Sequence, residues 1–506
     1  MSLKRTFFIL GLVLFLMHPV GEMLRNANPW SCFGFTFDEN FFAQAAANFA
    51  RGAGYRIAES KPFDPLITVG VPVAWGASFI ASLTGKSIAI AGRFFVHLTF
   101  VLILLALARS AFRAGRQWLA VPLAVGIFVY GISKTSFGSY FAFGYLGEMP
   151  AILAGVYAFR SLDERKPFRA GLAAGVVFVL KPTFLFFLPA VLLASFLTSR
   201  RDSIRTFLAM GIVLTGAFLG IASARGENLF AYLSTFYEVS SRIARQAPGG
   251  SLFELYPSTV PSRAVFAGLF VIFGAACVAF RRKPAPAAVA AFLLFVSSAL
   301  YYLVLGVKPV EKQWDAIFAL TLAGFAPVWA ATLADRFAGF APREFVRGIV
   351  LAIIATWILT VGPVARHTWL RVPETACPAK EQAAIDRRLD ELSAKGEATR
   401  ENTIELDTSP SYDRMAYSLA WYPAPVHHWN AVPTNMKWVF GETRTLFPEP
   451  SGCVADWKGE NFSLLNCSGR SIARPAPNRP GAYENLSRDR SAASTRAGSG
   501  KPSKTP

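Results

Sequence analysis

Asp38 and Glu39 stand side by side in FTFDENFFAQAAANFARGAGYR, just ahead of a run with the spacing of an amphipathic helix. An acid there has two uses. Asp is a favoured N-cap, accepting a hydrogen bond from the first exposed N–H groups of the helix that starts near Asn40. It is also suited to take the proton from an attacking hydroxyl as a general base. A third carboxylate, Glu148 in FGYLGEMPAIL, falls at the outer end of an apolar run. An acid at that depth is costly unless it is solvated among headgroups, partnered or in use. The cations to set beside these acids are Lys181, Arg242, Arg245, Lys308 and Lys312. Arg offers a planar fork to an anion and Lys a point charge, and fixed positive charge of either kind stabilises a departing phosphate. Taken singly, each cation also reads as a solvated loop charge, or as a lysine snorkelling to the interface.

The elements that must position these groups are membrane helices. The chain has 506 residues, 53% hydrophobic and only 16% charged. The charges gather in short clusters between long apolar runs, the pattern of a chain that closes its backbone hydrogen bonds inside spanning helices. The formal net charge of +19 is concentrated at helix ends, where it sets topology, so nucleic acid is not the expected partner. The basic clusters are Arg109, Arg113 and Arg116; Arg160, Arg165, Lys166 and Arg169; Arg200, Arg201 and Arg205; Arg281, Arg282 and Lys283; and Arg336, Arg343 and Arg347. Each is expected on the cytoplasmic side, with two spans between successive clusters.

The spans so placed are 6–20, 88–108, 118–132, 143–159, 170–180, 183–197, 207–222, 264–280, 287–305, 316–331 and 348–364. The expected fold is an all-α polytopic membrane protein of about eleven transmembrane helices, N-terminus cytoplasmic and C-terminus outside. Residues 67–83 are apolar too, but Pro65, Gly70, Pro72 and Gly76 and the parity of the clusters make them a re-entrant or interfacial helix. The span ending at Leu180 is too short to cross hydrocarbon of about 30 Å, which places Lys181 within the outer half of the membrane.

The organisation expected is a membrane module over 1–364 with its first outer loop at 21–87, a small extracytoplasmic domain over 365–468 with a helix at 379–393, and a disordered tail over 469–506. Five cysteines are too few for a disulfide scaffold. Cys453 with Cys467, and Cys32 with Cys377, fit pairs in an oxidising compartment, with free thiols as the alternative. The adjacent His427 and His428 point apart on any regular element and lack the acids and cysteines of a metal site. No nucleotide loop, HExxH or GxSxG stands in a suitable context.

The order of features in the first third of the chain resembles the GT-C superfamily of membrane glycosyltransferases, which includes lipid A aminoarabinose transferases and protein O-mannosyltransferases. An acidic pair opens the outer loop, an amphipathic helix runs to the Gly-Ala-Gly-Tyr turn at 52–55, a Pro-flanked apolar helix ends in Gly85, and the next span begins near Arg93. The resemblance implies that Asp38, first of the pair with Glu39, is the catalytic base, and that the donor is a polyprenyl-phosphate-linked sugar. It implies that a second acid, here Glu148, positions the acceptor or a divalent cation. Glu stands where several relatives carry Asp, so the metal assignment stays open, and no cofactor is otherwise expected. The expected reaction is inverting transfer to a hydroxyl of an extracytoplasmic glycan, lipid or protein, in the inner membrane of a bacterium among its lipids. A lipid or polysaccharide transporter is the alternative from another class, and a surface-polysaccharide polymerase or ligase a third. Internal repeats and midplane charges would favour the transporter, and the sequence has neither.

Overall fold

The computed structural model describes residues 71–84, 88–115, 119–133, 147–224, 226–246, 285–305, 311–337, 377–399, 402–406, 436–446 and 452–467. The expected spans 6–20, 264–280 and 348–364, the acidic pair Asp38 and Glu39, Lys308, Cys32, His427, His428 and the tail lie outside these residues.

The helices of the membrane module are α1 (Val71–Thr84), α2 (Ile88–Gly115), α3 (Ala120–Ser133), α4 (Glu148–Asp163), α5 (Pro167–Leu180), α6 (Phe187–Thr198), α7 (Arg200–Ala224), α8 (Leu229–Gln246), α9 (Pro286–Leu305) and α10 (Glu311–Phe337). Segments within α2, α7 and α10 are long and apolar enough to cross a membrane, and α3, α5, α6 and α9 hold shorter apolar runs. The chain is a multi-pass membrane protein. Helix α1, of 14 described residues, lies within the stretch expected to be re-entrant or interfacial. It packs closely on α2: a Cβ on Gly76 would stand 2.4 Å from the Phe95 ring.

Helix α10 is the axis of the bundle. Ala316, Ile317, Phe318, Ala319, Leu320 and Leu322 are all buried, and a helix apolar on every face belongs at the centre. Around it α2, α4, α5, α6 and α9 share one core. Helix α7 is peripheral, its Ile204, Phe207, Leu208 and Ile212 exposed as a lipid-facing helix requires. Glycines allow the close approaches. A Cβ on Gly171 of α5 would lie 2.3 Å from the Thr206 carbonyl oxygen of α7, and one on Gly175 would lie 2.8 Å from the Val213 side chain. Small residues four apart are the usual way for membrane helices to approach this closely.

Basic residues of the Arg109 and Arg160 clusters gather at one end of the bundle. Arg113 at the end of α2 and Arg160 near the end of α4 both pair with Glu164 in the α4–α5 turn, as does Lys166. Asp163 Oδ1 accepts a hydrogen bond of 3.0 Å from the Ala287 N–H, which places the start of α9 there too. Thr206 Oγ1 lies 3.2 Å from the Pro167 carbonyl oxygen and 3.0 Å from Ser195 Oγ, adding the start of α7 and the end of α6. The alternation of helix direction that charge parity predicts therefore holds across α2 to α7, and α9 starts at the same end.

The C-terminal unit departs from an all-α reading. Its helix α11 (Pro378–Ala394) falls where expected, but strands β1 (Thr403–Leu406), β2 (Trp438–Glu442), β3 (Val454–Lys458) and β4 (Phe462–Asn466) follow, with a short α12 (Thr443–Leu446) between β2 and β3. The sheet order is β1-β2-β4-β3, with β1 and β2 parallel and the remaining pairs antiparallel. Long separation in sequence hides the β1–β2 pairing, and strands of four or five residues give little alternation to read. Glu381 of α11, fully buried, accepts hydrogen bonds from Asn461 N and Nδ2 and from Phe462 N at 2.7–2.9 Å, joining helix to hairpin. The Cys453–Cys467 disulfide is present, and Cys377 is also disulfide-bonded.

Candidate functional site

Glu148 is the first residue of α4 and Lys181 the residue that ends α5. The two helices are joined by a tight turn at the basic end and run antiparallel, so their far ends meet. There Lys181 Nζ lies 2.6 Å from Glu148 Oε1, with 3% of the Glu148 side chain and 18% of the Lys181 side chain exposed. Sequence reasoning singled out both residues separately. The structure makes them one ion pair.

Local sequence explains the position of the lysine. Pro182 lacks an N–H and disfavours helical backbone in the residue before it. Lys181 is accordingly extended, at φ −151° and ψ 99°, and a single 3-10 turn over Pro182–Phe184 carries the chain round to α6. With 14 residues in α5 and 12 in α6, or about 21 Å and 18 Å, neither helix spans about 30 Å of hydrocarbon alone. The turn between them, and Lys181 with it, is recessed from the surface.

A buried pair of this kind is stable only when each charge keeps its partner, because either ion alone in a low-dielectric site costs several kcal/mol. Glu148 is not fully satisfied by Lys181. Its Oε2 is buried and has no hydrogen-bond partner. An ammonium carries three donors, and Lys181 is the more exposed member of the pair. The pair therefore presents a free carboxylate oxygen on one side and spare ammonium donors on the other.

Two further charged residues share this level, and sequence reasoning passed over one of them. Gly155 of α4 lies against Leu320 of α10, and Phe159 against Gly324. The two helices thus run parallel, so Glu148 and Asp315, each near the start of its helix, lie at the same end of the bundle. Asp315 is fully buried and engaged by a partner. The span boundary expected at Ala316 left it just outside the membrane. Its signal was a carboxylate opening an apolar run, the same signal that picked out Glu148. Arg93, 2% exposed and likewise engaged, lies on the second turn of α2. The cluster of Ala111, Ala120, Ala330 and Ala334 joins the basic ends of α2, α3 and α10, so Arg93 falls at the opposite end with Asp315.

Of the other expected cations, Arg242 and Arg245 fall on the last two turns of α8, and Lys312 on the first turn of α10. Among the described residues no group of three His, Cys, Asp or Glu side chains gathers to hold a metal ion. Glu148 offers a single carboxylate oxygen without a hydrogen-bond partner.

The site is thus an acid–lysine pair set in a bundle of apolar helices about a buried central helix, at the end away from the Glu164 ion pairs. The model of glycosyltransferase family 87 matches residues 74–306, a stretch that includes both Glu148 and Lys181. The crystal structure of ArnT from Cupriavidus metallidurans bound to undecaprenyl phosphate is similar at a TM-score of 0.53 and 12% identity, over 94% of this chain and 100% of that one. ArnT from the same organism in the apo state aligns at a TM-score of 0.48 and 13% identity, over 93% and 100% of the two chains. At these identities the likeness is one of fold. No curated protein matches the chain. The GT-C superfamily resemblance drawn from the first outer loop is upheld by the family match and the ArnT fold.

Proposed function

We propose that this protein is an inverting glycosyltransferase that moves a sugar from a polyprenyl-phosphate donor to a hydroxyl of an acceptor outside the cytoplasm. The observation that carries this reading is the recessed Glu148–Lys181 pair, lying inside the region matched by a glycosyltransferase family in a fold similar to that of ArnT, a protein crystallised with undecaprenyl phosphate.

The lipid-linked donor enters sideways from the bilayer. Lys181 keeps one donor on Glu148 and turns the others to the phosphate, with Arg242, Arg245, Lys308 and Lys312 as the outer cations available to it. As the glycosidic bond breaks, negative charge grows on that phosphate, and a preset ammonium stabilises it without reorganisation. Glu148 Oε2 accepts a hydrogen bond from the acceptor and orients it. Asp38, with Glu39 beside it, takes the proton from the attacking hydroxyl. The hydroxyl oxygen bonds to the anomeric carbon from the side opposite the phosphate, and the configuration inverts. We place the protein in a bacterial inner membrane, basic end inward, with the C-terminal unit outside beside the acceptor, a glycan, lipid or protein of the cell envelope such as lipopolysaccharide.

The test is transfer from a panel of polyprenyl-phosphate sugars by the purified protein in nanodiscs, wild type against Asp38→Asn. Transfer by the wild type that disappears in the variant supports both enzyme class and base. A folded Asp38→Asn protein with full activity overturns the base assignment. Absence of transfer with every donor, while labelled lipid still crosses the bilayer, replaces the enzyme by a transporter.

A further inference from the structure

A second recess lies at the basic end of the bundle. It is a groove of about 420 Å³ between α4 and α5, graded in polarity along its length. Arg160, Ser161, Glu164 and Arg169 line one end, and Ala154, Leu172, Ala173 and Val176 line the other, with Tyr157 between them. The gradient follows from helix geometry: positions 154, 157, 161 and 164 form one stripe on α4, and 169, 172, 173 and 176 form another on α5. The helices are antiparallel, so polar meets polar and apolar meets apolar. Small alanines hold the apolar half open. The groove is uncovered, with Tyr157 at 50% and Val176 at 37% exposure.

The polar end carries a surplus of positive charge. Glu164 is already shared by Arg113, Arg160 and Lys166. Those hydrogen bonds, first from Lys166 and then from Arg160, hold its carboxyl down at about 2, so it stays ionised and occupied. Arg169 is exposed, lines the groove and has no acid partner among the described residues. Arg165, exposed in the same turn with φ of 55°, is a further cation with no acid partner among the described residues. A guanidinium at the mouth of an apolar trough, between two membrane helices at the level where the chain leaves hydrocarbon, matches a phosphate head with an acyl chain beneath it.

We propose that this groove is a binding site for one anionic phospholipid of the leaflet at the basic end. Its phosphate sits on Arg169, with Arg160 alongside, and one acyl chain lies over Ala173 and Val176 against the Tyr157 ring. The site is separate from the Glu148–Lys181 pair: Arg160 is twelve helical steps along α4 from Glu148, or about 18 Å. The lipid is therefore a structural ligand bracing α4 against α5, and the inference does not depend on the sugar-transfer reading.

The test is native mass spectrometry of the full chain released from micelles holding equal phosphatidylglycerol and phosphatidylcholine, with thermal stability read on the same samples. One phosphatidylglycerol is retained in preference to phosphatidylcholine. Arg169→Gln weakens that preference about fivefold, the contribution of one cation at an anionic lipid surface, and Arg169→Lys restores most of it. Ala173→Leu, which fills the trough, removes the retained lipid and its thermal stabilisation together. Equal retention of both lipids, or a preference unmoved by Arg169→Gln in a protein that melts normally, overturns the proposal. So does displacement of phosphatidylglycerol by equimolar undecaprenyl phosphate, which reassigns the groove to a carrier lipid. Failure of sugar transfer changes none of these readouts.

Discussion

Lys181 Nζ and Glu148 Oε1 are 2.6 Å apart, although 33 positions separate the residues in the sequence. Each is defined by an interruption: Glu148 by the start of α4, Lys181 by the proline that ends α5. A salt bridge this deep is weak evidence for stability, since desolvation offsets most of the attraction. A fully paired structural bridge would also leave no buried oxygen orphaned, as Glu148 Oε2 is. The unmet acceptor favours a pair kept for what it binds.

A double-mutant cycle separates these roles. Glu148→Gln or Lys181→Met alone leaves an uncompensated charge or polar group and is expected to cost about 3–5 kcal/mol. The double variant is expected to recover much of that loss, because the two removals are coupled. Thermal unfolding in detergent measures all three. Additive losses would mean that the two side chains do not stabilise each other.

Kinetics should divide the pair as well. A charge-assisted hydrogen bond to phosphate contributes about 1.5–3 kcal/mol, so Lys181→Met is expected to raise the donor KM about tenfold or more, or to lower kcat by a similar factor where the contact tightens only in the transition state. Glu148→Gln should instead act on the acceptor KM. Initial rates with each substrate varied in turn decide it, and an acceptor-only effect of Lys181→Met would contradict the shared-ammonium role.

Glycine substitutions report on the α5–α7 contact. Gly171→Ala places a methyl group against the Thr206 carbonyl oxygen, a backbone atom that cannot swing aside, and is expected to destabilise by about 1–3 kcal/mol. Gly216→Ala on α7 meets nothing within 4 Å and should be neutral, or stabilising by up to about 1 kcal/mol through helix propensity. Melting temperatures of the two variants, read side by side, test the packing with a built-in control.

Helices α2 to α7, α9 and α10 were legible because hydropathy and charge parity are properties of local sequence, whereas the amphipathic α8 falls between the expected spans 207–222 and 264–280 and was not foreseen. Glu148 and Lys181 were each legible as charges at apolar boundaries. Their pairing was not, since it depends on the lengths of α4 and α5 and the tight turn joining them. Asp315 was missed by a boundary drawn one residue too late. The C-terminal strands were missed because β1 pairs with β2 across a long connection and each strand is too short for a period. Asp38 and Glu39 remain assigned from their motif alone.

The basic end supplies a pH dependence with a definite sign. Glu164 has its carboxyl lowered to about 2, chiefly by hydrogen bonds from Lys166 and Arg160. A carboxyl whose folded value lies below its unfolded one stabilises the fold in full above the ordinary glutamate value, about 4.3, and loses that contribution as pH falls toward 2. Wild type is therefore expected to melt above Glu164→Gln from neutral pH down to about 5, with the difference shrinking steadily below 4. Raising pH from 5 to 8 should leave the difference unchanged, because Arg113, Arg160 and Lys166 keep their charge throughout that range. A difference that vanished between pH 5 and 7 would mean that the carboxyl titrates far above the value its three cationic partners impose, and that the α2–α4–α5 junction is held by packing instead.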